Sequence, residues 1–357
     1  MMLYYNVLTI SIFILFFIFS YYFYLYYPKQ TMPLGRLIEI TTPEFEKYKN
    51  DCLHPCIRHI ANGFMGHKWW MVQSPFYARN NRIENPILYY SDDEEAPMNW
   101  IPLGVINETP TKGFNSDPSI YYENDTLWVF WREFETPFCD ANNVSMATVG
   151  VFTTDGITFS KPKIYLKQNE ISEDTEQCPI LIKRNNNYIF YASHYQYSPE
   201  RKNIGISIWE GSSLHIPDFK HIETISIKST YVCDKFKQLK IGKSLYFFPK
   251  PLKHNFWHFD LIEYNNKLYM ISVAEWSDNI ILSVSENYRH FKSFQKPLIN
   301  SHYSENYSGY RQYYYKPTGY IDKGILHLYY TTNDKNDFNW NRLFYSKVNL
   351  YTKYSSI

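Results

Sequence analysis

Short runs of alternating apolar and polar residues, broken by Asn, Asp, Gly and Pro, fill the chain from about residue 51 to 350. A period of two marks strands with one buried face, and no long stretch here repeats its apolar residues at helical spacing. The runs group into five units. The first holds HPCIRHI, KWWMVQSPF and ENPILYYSDDEEAPMNW, and the second SDPSIYYENDTLWVFWREF and MATVGVFTTDGITFS. The third holds EQCPILIKRNNNYIFYASHYQ and IGISIWEGSSL, and the fourth WHFDLIEYNNKLYMISVAEW and NIILSVSENYRHFKSF. The fifth holds YRQYYYKPTGYIDKGILHLYYTTND and NRLFYSKVNL. In each, a polar opening enters an apolar strand, an Asn/Gly turn leads to an aromatic strand, and a third strand follows. Pro55, Pro118, Pro179, Asp260 and Tyr313 mark comparable positions, 63, 61, 81 and 53 residues apart. Units of this length with three or four strands predict blades, so the expected fold is all-β, a five-bladed β-propeller. A β-sandwich is the alternative, but it gives no reason for a polar opening at every first strand.

The N-terminus has a different pattern. VLTISIFILFFIFSYYFYLYY, residues 7–27, carries no charge and matches the roughly 20 apolar residues that cross a bilayer as a helix. Its Tyr-rich end suits the membrane interface. A cleaved signal peptide competes with this reading, but the n-region lacks Lys and Arg and no small-x-small site precedes Lys29. The expectation is a transmembrane anchor at 7–27, a connector at 28–50, the propeller at 51–350 and a tail at 351–357. Lys29 and Arg36 follow the span and weigh toward a cytosolic body, which two charges alone do not fix. The sequons at Asn107, Asn124, Asn143 and Asn306 are of a number that chance supplies in such a chain.

Composition narrows the partners. The 357 residues carry a formal charge of +1 with scattered basic positions, which argues against a nucleic-acid binder. Aromatic residues make up 19% of the chain, 35 of them Tyr, which suits strands and stacking on sugar rings. Five cysteines without regular spacing are not a disulfide framework.

In a propeller the first strand of each blade lines the central channel, so the five polar openings converge at one mouth. They nominate His54, Asp117, Glu176 or Gln177, His258 with Asp260, and Tyr310 with Arg311. His258 and Asp260, two residues apart, share one strand face. Cys52, His54, Cys56 and His59 resemble zinc ligands on paper, but Cys52 and Cys56 would stand about 13 Å apart in an extended strand. No metal or cofactor is expected. Cys56 as a nucleophile would need His54 as its base.

HPC, GHKWWM, SPF, ENP at Glu84 to Pro86, SDP at Ser116 to Pro118, WHFD at Trp257 to Asp260, and Tyr310-Arg311 occur in blade order. In this the chain resembles the five-bladed propeller glycosidases, the family 43-like hydrolases and the related fructan and sucrose hydrolases. The resemblance covers about residues 51–350 and is nearest to an uncharacterised subgroup. It implies glycoside chemistry by facing carboxylates: a blade-one Asp as base or nucleophile, a blade-two Asp that orients or tunes, and a blade-three Glu as acid. Asp117 takes the blade-two position. The blade-one position holds His54 or Cys56, and strict register puts Gln177 at the acid position with Glu176 one residue off, on the opposite face unless a bulge re-aims it.

The candidate catalytic residues are therefore Asp117, Asp260, Glu84 and Glu176, with His54, His258, Arg311, Tyr310, Trp257 and Trp70 as substrate contacts. Arg311 would clamp an anionic sugar or phosphate. The expected function is a membrane-anchored, monomeric carbohydrate-active enzyme of glycoside hydrolase type. A non-catalytic carbohydrate-binding propeller and a phosphate-using phosphorylase or glycosyltransferase are the alternatives.

Overall fold

The computed structural model describes residues 35–42, 50–167, 174–196, 202–227, 232–241, 244–251, 256–274, 279–294, 297–300, 314–333 and 341–351. The proposed anchor at 7–27 lies outside them, and no helix among the described residues is long and apolar enough to cross a membrane.

The molecule is an all-β propeller of five blades, each an antiparallel sheet. Strand β1 (Arg36–Ile38) belongs to the last blade. Blade one is β2 (Cys56–Phe64), β3 (His67–Gln73), β4 (Ile87–Ser91) and β5 (Ile101–Val105). Blade two is β6 (Phe114–Glu123), β7 (Thr126–Phe134), β8 (Met146–Thr153) and β9 (Lys163–Lys167). Blade three is β10 (Asp174–Arg184), β11 (Asn187–Gln196), β12 (Lys202–Gly211) and β13 (Lys220–Ile225). A hairpin, β14 (Val232–Ile241) and β15 (Ser244–Pro251), precedes blade four. Blade four is β16 (Phe256–Tyr264), β17 (Lys267–Ala274), β18 (Asn279–Ser285) and the short β19 (Lys292–Ser293) and β20 (Ile299–Asn300). Blade five is β21 (Tyr314–Asp322), β22 (Ile325–Asn333) and β23 (Asn341–Asn349), completed by β1.

That last pairing changes the reading of residues 28–50 as a connector. Arg36 lies opposite Tyr345 and Ile38 opposite Leu343, so an N-terminal strand forms the outer edge of the C-terminal blade. The ring is latched again where Asn341 Nδ2 donates to Asp51 Oδ1 at 3.0 Å. Closure of this kind ties chain ends that no local pattern relates.

The turn from first to second strand has one form in all five blades. Met65-Gly66, Asn124-Asp125, Asn185-Asn186, Asn265-Asn266 and Lys323-Gly324 all have positive φ at both residues. Two left-handed residues give the hairpin twist that matches right-twisted strands, which is why Asn, Asp and Gly recur there. Between blades, the apolar faces pack into shared cores: Cys56, Trp70, Val72, Ile120, Val129 and Trp131 fill the space between blades one and two.

The entry to the first strand is equally patterned, and it sets the site. The β6–β7 register shifts between Ser116 and Ser119, and the β10–β11 register between Gln177 and Ile180. Each shift carries a left-handed residue before a proline, Asp117 (φ 54°) and Cys178 (φ 53°). Such bulges turn one side chain out of the strand's alternation and aim it elsewhere. The β21–β22 register shifts likewise between Tyr314 and Pro317.

Candidate functional site

His54, Asp117 and His258 come from the openings of blades one, two and four and meet at the channel axis. Their donor atoms lie within 4.8 Å of one another, and all three side chains are buried. Asp117 Oδ1 lies 3.3 Å from His54 Nε2 and 3.4 Å from His258 Nδ1. Neither approach has hydrogen-bond geometry: His54 Nε2, Asp117 Oδ1 and both ring nitrogens of His258 have no hydrogen-bond partner. Buried polar atoms are ordinarily satisfied, so a cluster of orphans sharing one small volume calls for an explanation.

The surroundings fix each group. His54 Nδ1 is hydrogen-bonded to Ser74 Oγ at 2.9 Å, which leaves Nε2 facing Asp117. Glu84, placed by the turn after Asn81–Ile83, lies 3.5 Å from His54 Nδ1 and accepts from Ser116 Oγ at 3.1 Å. Behind it, Asn115 Nδ2 donates to Asn85 Oδ1 at 2.7 Å. Arg132, opposite Ser116 on β7, brings Nε to 3.0 Å from Asp117 Oδ2. The Tyr315 ring stands 4.4 Å from that of His258 and 5.2 Å from that of His54, and Trp257 stacks on His258 at 5.6 Å.

These contacts separate the charge states. Burial opposes the charge of Asp117, but Arg132, with His54, His258 and Lys316, holds its carboxyl well below the usual carboxylate range. Burial, and then the charge of Asp117, pushes Glu84 well up. Burial lowers His54 to about 3 against the opposing pull of Asp117, and it lowers His258 strongly as well. The two carboxyl groups are thus driven apart, Asp117 toward the ionised form and Glu84 toward the protonated one, while both imidazoles are driven toward neutrality, a separation that suits acid–base work.

Below this ring the channel is filled. Lys316 Nζ donates to Pro118 O at 2.9 Å, the Ile120 N–H donates to Cys56 Sγ at 3.4 Å, and Cys178 Sγ donates to Phe259 O at 3.4 Å. Deeper still, Arg58 grips Asp260 with two bonds of 2.8 and 2.7 Å. Asp260 also accepts from Thr318 Oγ1 at 2.5 Å and Leu261 N at 2.8 Å. Arg58 then lines a separate cavity of about 840 Å³ at the far end, with Tyr121, Tyr320 and His327 among its walls.

The sequence-nominated residues divide accordingly. His54, Asp117, His258 and Glu84 come together, with Trp257 beside them. Asp260 sits deeper, engaged by Arg58 rather than facing Asp117. Glu176 is not re-aimed by its bulge, which falls one residue later: its carboxylate meets His194 Nδ1 at 2.7 Å and the Ser207 hydroxyl. Trp70, expected at the sugar, is 1% exposed in the core between blades one and two, its Nε1 donating to His67 O at 3.1 Å. Tyr310 and Arg311 lie outside the described residues. Burial pushes the Cys56 thiol up, and its sulfur accepts a backbone N–H, so it is not poised as a nucleophile. Cys52, Cys56, Cys139 and Cys178 are free thiols.

Sequence reasoning missed Ser74, Arg132, Tyr315 and Lys316. Lys316 had a signal: Lys316-Pro317 repeats the residue-then-proline entry of His54-Pro55, Asp117-Pro118 and Cys178-Pro179. Arg132 had none, since only the strand register brings it to the bulge.

No family model and no curated protein matches the chain. Solved structures do. An N-acetylgalactosamine deacetylase from F. plautii, in complex with blood group B trisaccharide, aligns with TM-score 0.62 at 14% identity, covering 90% of this chain and 94% of that one. The RS223 β-xylosidase aligns with TM-score 0.56 at 13% identity, covering 88% and 95%. A GH43_1 enzyme from Xanthomonas citri gives 0.55 at 9% identity, covering 83% and 87%. The fold is that of the five-bladed glycosidase-type propellers. At these identities the likeness carries the architecture, and the chemistry has to be argued from the residues.

Proposed function

We propose that this chain is a carbohydrate-active hydrolase whose reacting centre is a divalent cation held by His54, Asp117 and His258, and that it removes an N-acyl group from an amino sugar. The observation that carries the reading is the donor set: two imidazoles and one carboxylate, buried, converging within 4.8 Å, with orphaned atoms turned toward one another. Two histidines and a carboxylate are a hydrolytic metal ligand set, and the second nitrogen of His54 is oriented by Ser74, as ligating imidazoles usually are. Such a cation would polarise the acyl oxygen and lower the pKa of a bound water. The charge of such a cation would favour the ionised form of Glu84, which would then take a proton from the attacking water and return it to the departing amine, so that amide hydrolysis balances. Trp257 and Tyr315 offer aromatic faces to the sugar ring. The deacetylase among the structural neighbours supports the substrate class.

A second reading, glycoside hydrolysis, rests on Glu84 and Asp117, two carboxyl groups whose pKa values are driven apart. One experiment separates the two. The protein is stripped with chelator, reloaded with Zn²⁺, Mn²⁺ or Co²⁺, and offered N-acetylated glycans while acetate and reducing sugar are both measured. Chelator-sensitive acetate release is the expected result. Reducing-sugar release indifferent to chelator would replace the first reading with the second, and neither product would refute both. We also retain residues 7–27 as a single membrane anchor. Recovery of the full chain in the carbonate-washed membrane fraction, and of a chain beginning at residue 34 in the soluble one, is the expected outcome.

A further inference from the structure

We infer that Lys316 is a positioning residue, holding from blade five the two backbones that present Asp117 and His54. The inference rests on the cation-centre reading above. Lys316 has no solvent exposure, and among the described residues its ammonium donates to the carbonyl of Pro118 at 2.9 Å. Pro118 follows Asp117, whose backbone is held at φ 54° inside the bulge of blade two. A left-handed conformation costs an Asp energy that neighbouring contacts must offset. The Lys316–Pro118 bond is such a contact, made at the carbonyl one residue beyond the strain. The other end of Lys316 reaches blade one: its backbone N–H donates to Thr331 Oγ1 at 3.2 Å, and that hydroxyl donates to Leu53 O at 2.9 Å, next to His54. One residue therefore braces both neighbouring ligand-bearing segments.

A lysine is a costly residue for that place. A buried ammonium is costly, and an apolar side chain of similar length would fill the same space. Its charge also works against a nearby divalent cation. A fixed donor that keeps Asp117 aimed accounts for a residue that is otherwise a liability.

The test is Co²⁺ binding to the chelator-stripped protein, followed by calorimetry and by the visible ligand-field bands, in wild type, Lys316→Met and Lys316→Gln, with Tm recorded for each. Lys316→Met keeps the stem and loses the donor, so a roughly 10–100-fold weaker affinity and altered bands at a Tm equal to or above wild type are expected. Lys316→Gln retains an N–H donor and is expected to keep most of the affinity. Tighter binding in Lys316→Met would show that only its charge acts on the site. Unchanged affinity with lowered Tm would show a purely structural part, and either result overturns the inference. If wild type binds no Co²⁺, the cation-centre reading falls and takes this one with it. Equal binding by wild type and Lys316→Met removes only the role of Lys316.

Discussion

Two buried polar clusters share one channel and differ in how well they are satisfied. In the lower one, both oxygens of Asp260 are engaged by Arg58, Thr318 and Leu261, and Thr318 in turn accepts the Ile57 N–H at 3.0 Å. In the upper one, His54, Asp117 and His258 turn atoms toward one another without forming a hydrogen bond. Both are walled by the first strands of the blades. A closed network rigidifies and has no capacity left for a ligand, whereas an open one keeps the capacity that a cation or substrate can use. The difference in satisfaction, rather than in residue type, separates the staple from the candidate site.

The comparison is most easily broken by substituting one acid from each cluster. Asp117→Asn is expected to weaken divalent-cation binding at least about 100-fold, beyond the loss caused by removing a ligand's outer partner, with Tm close to wild type. Retained binding with a collapse in Tm would reverse the assignment. Asp260→Ala strands the Arg58 guanidinium and is expected to cost about 3–5 kcal/mol in urea unfolding. The pair Arg58→Met with Asp260→Leu should recover much of that, because two charges and their desolvation leave together. A loss under about 1 kcal/mol in Asp260→Ala would mean that the lower cluster is no staple.

Histidines sharpen the contrast. His327, at the far cavity, is buried like His258, but its Nδ1 pairs with Tyr345 Oη at 2.9 Å and its ring stacks on Tyr320 at 4.3 Å. Burial and then Lys347 lower it to about 4, against Asp322 and Glu95. Its folded pKa is below its unfolded one, so the unfolded chain takes up the proton first as pH falls. The contribution is intact above about pH 6.5 and is lost on acidification toward 4. In His327→Gln the acid limb of the stability curve should be shallower over that window, read from urea midpoints at successive pH values. The smallest expected effect is Cys56→Ala, at about 1–2 kcal/mol for a small core side chain and a weak sulfur acceptor. Hydrolytic turnover should not change, and a loss of turnover would return Cys56 to the chemistry.

Half of the candidate site was readable along the chain. His54, Asp117 and His258 stood out as polar residues at apolar strand entries, and the repeat put them at one mouth. Glu176 and Trp70 show where that reading stops. The bulge after Gln177 leaves Glu176 on the neighbouring strands' side, and Trp70 sits on the second strand of its blade, facing an adjacent blade. One residue of register, or one strand outward from the axis, decides whether a side chain meets the channel.

The sequence by itself determined the five-fold all-β architecture, because period-two patterning and the Asn/Gly turn chemistry are local and repeat in every unit. It also marked His54, Asp117 and His258 as polar residues at strand entries. Only the tertiary structure decided that Arg36–Ile38 closes the last blade, that Arg58 answers Asp260 across 202 positions, and that Lys316 reaches Pro118 across 198. Those partners are far apart in sequence and brought together by ring closure. Their pairing depends on strand register and bulge placement, which no short stretch of chain encodes.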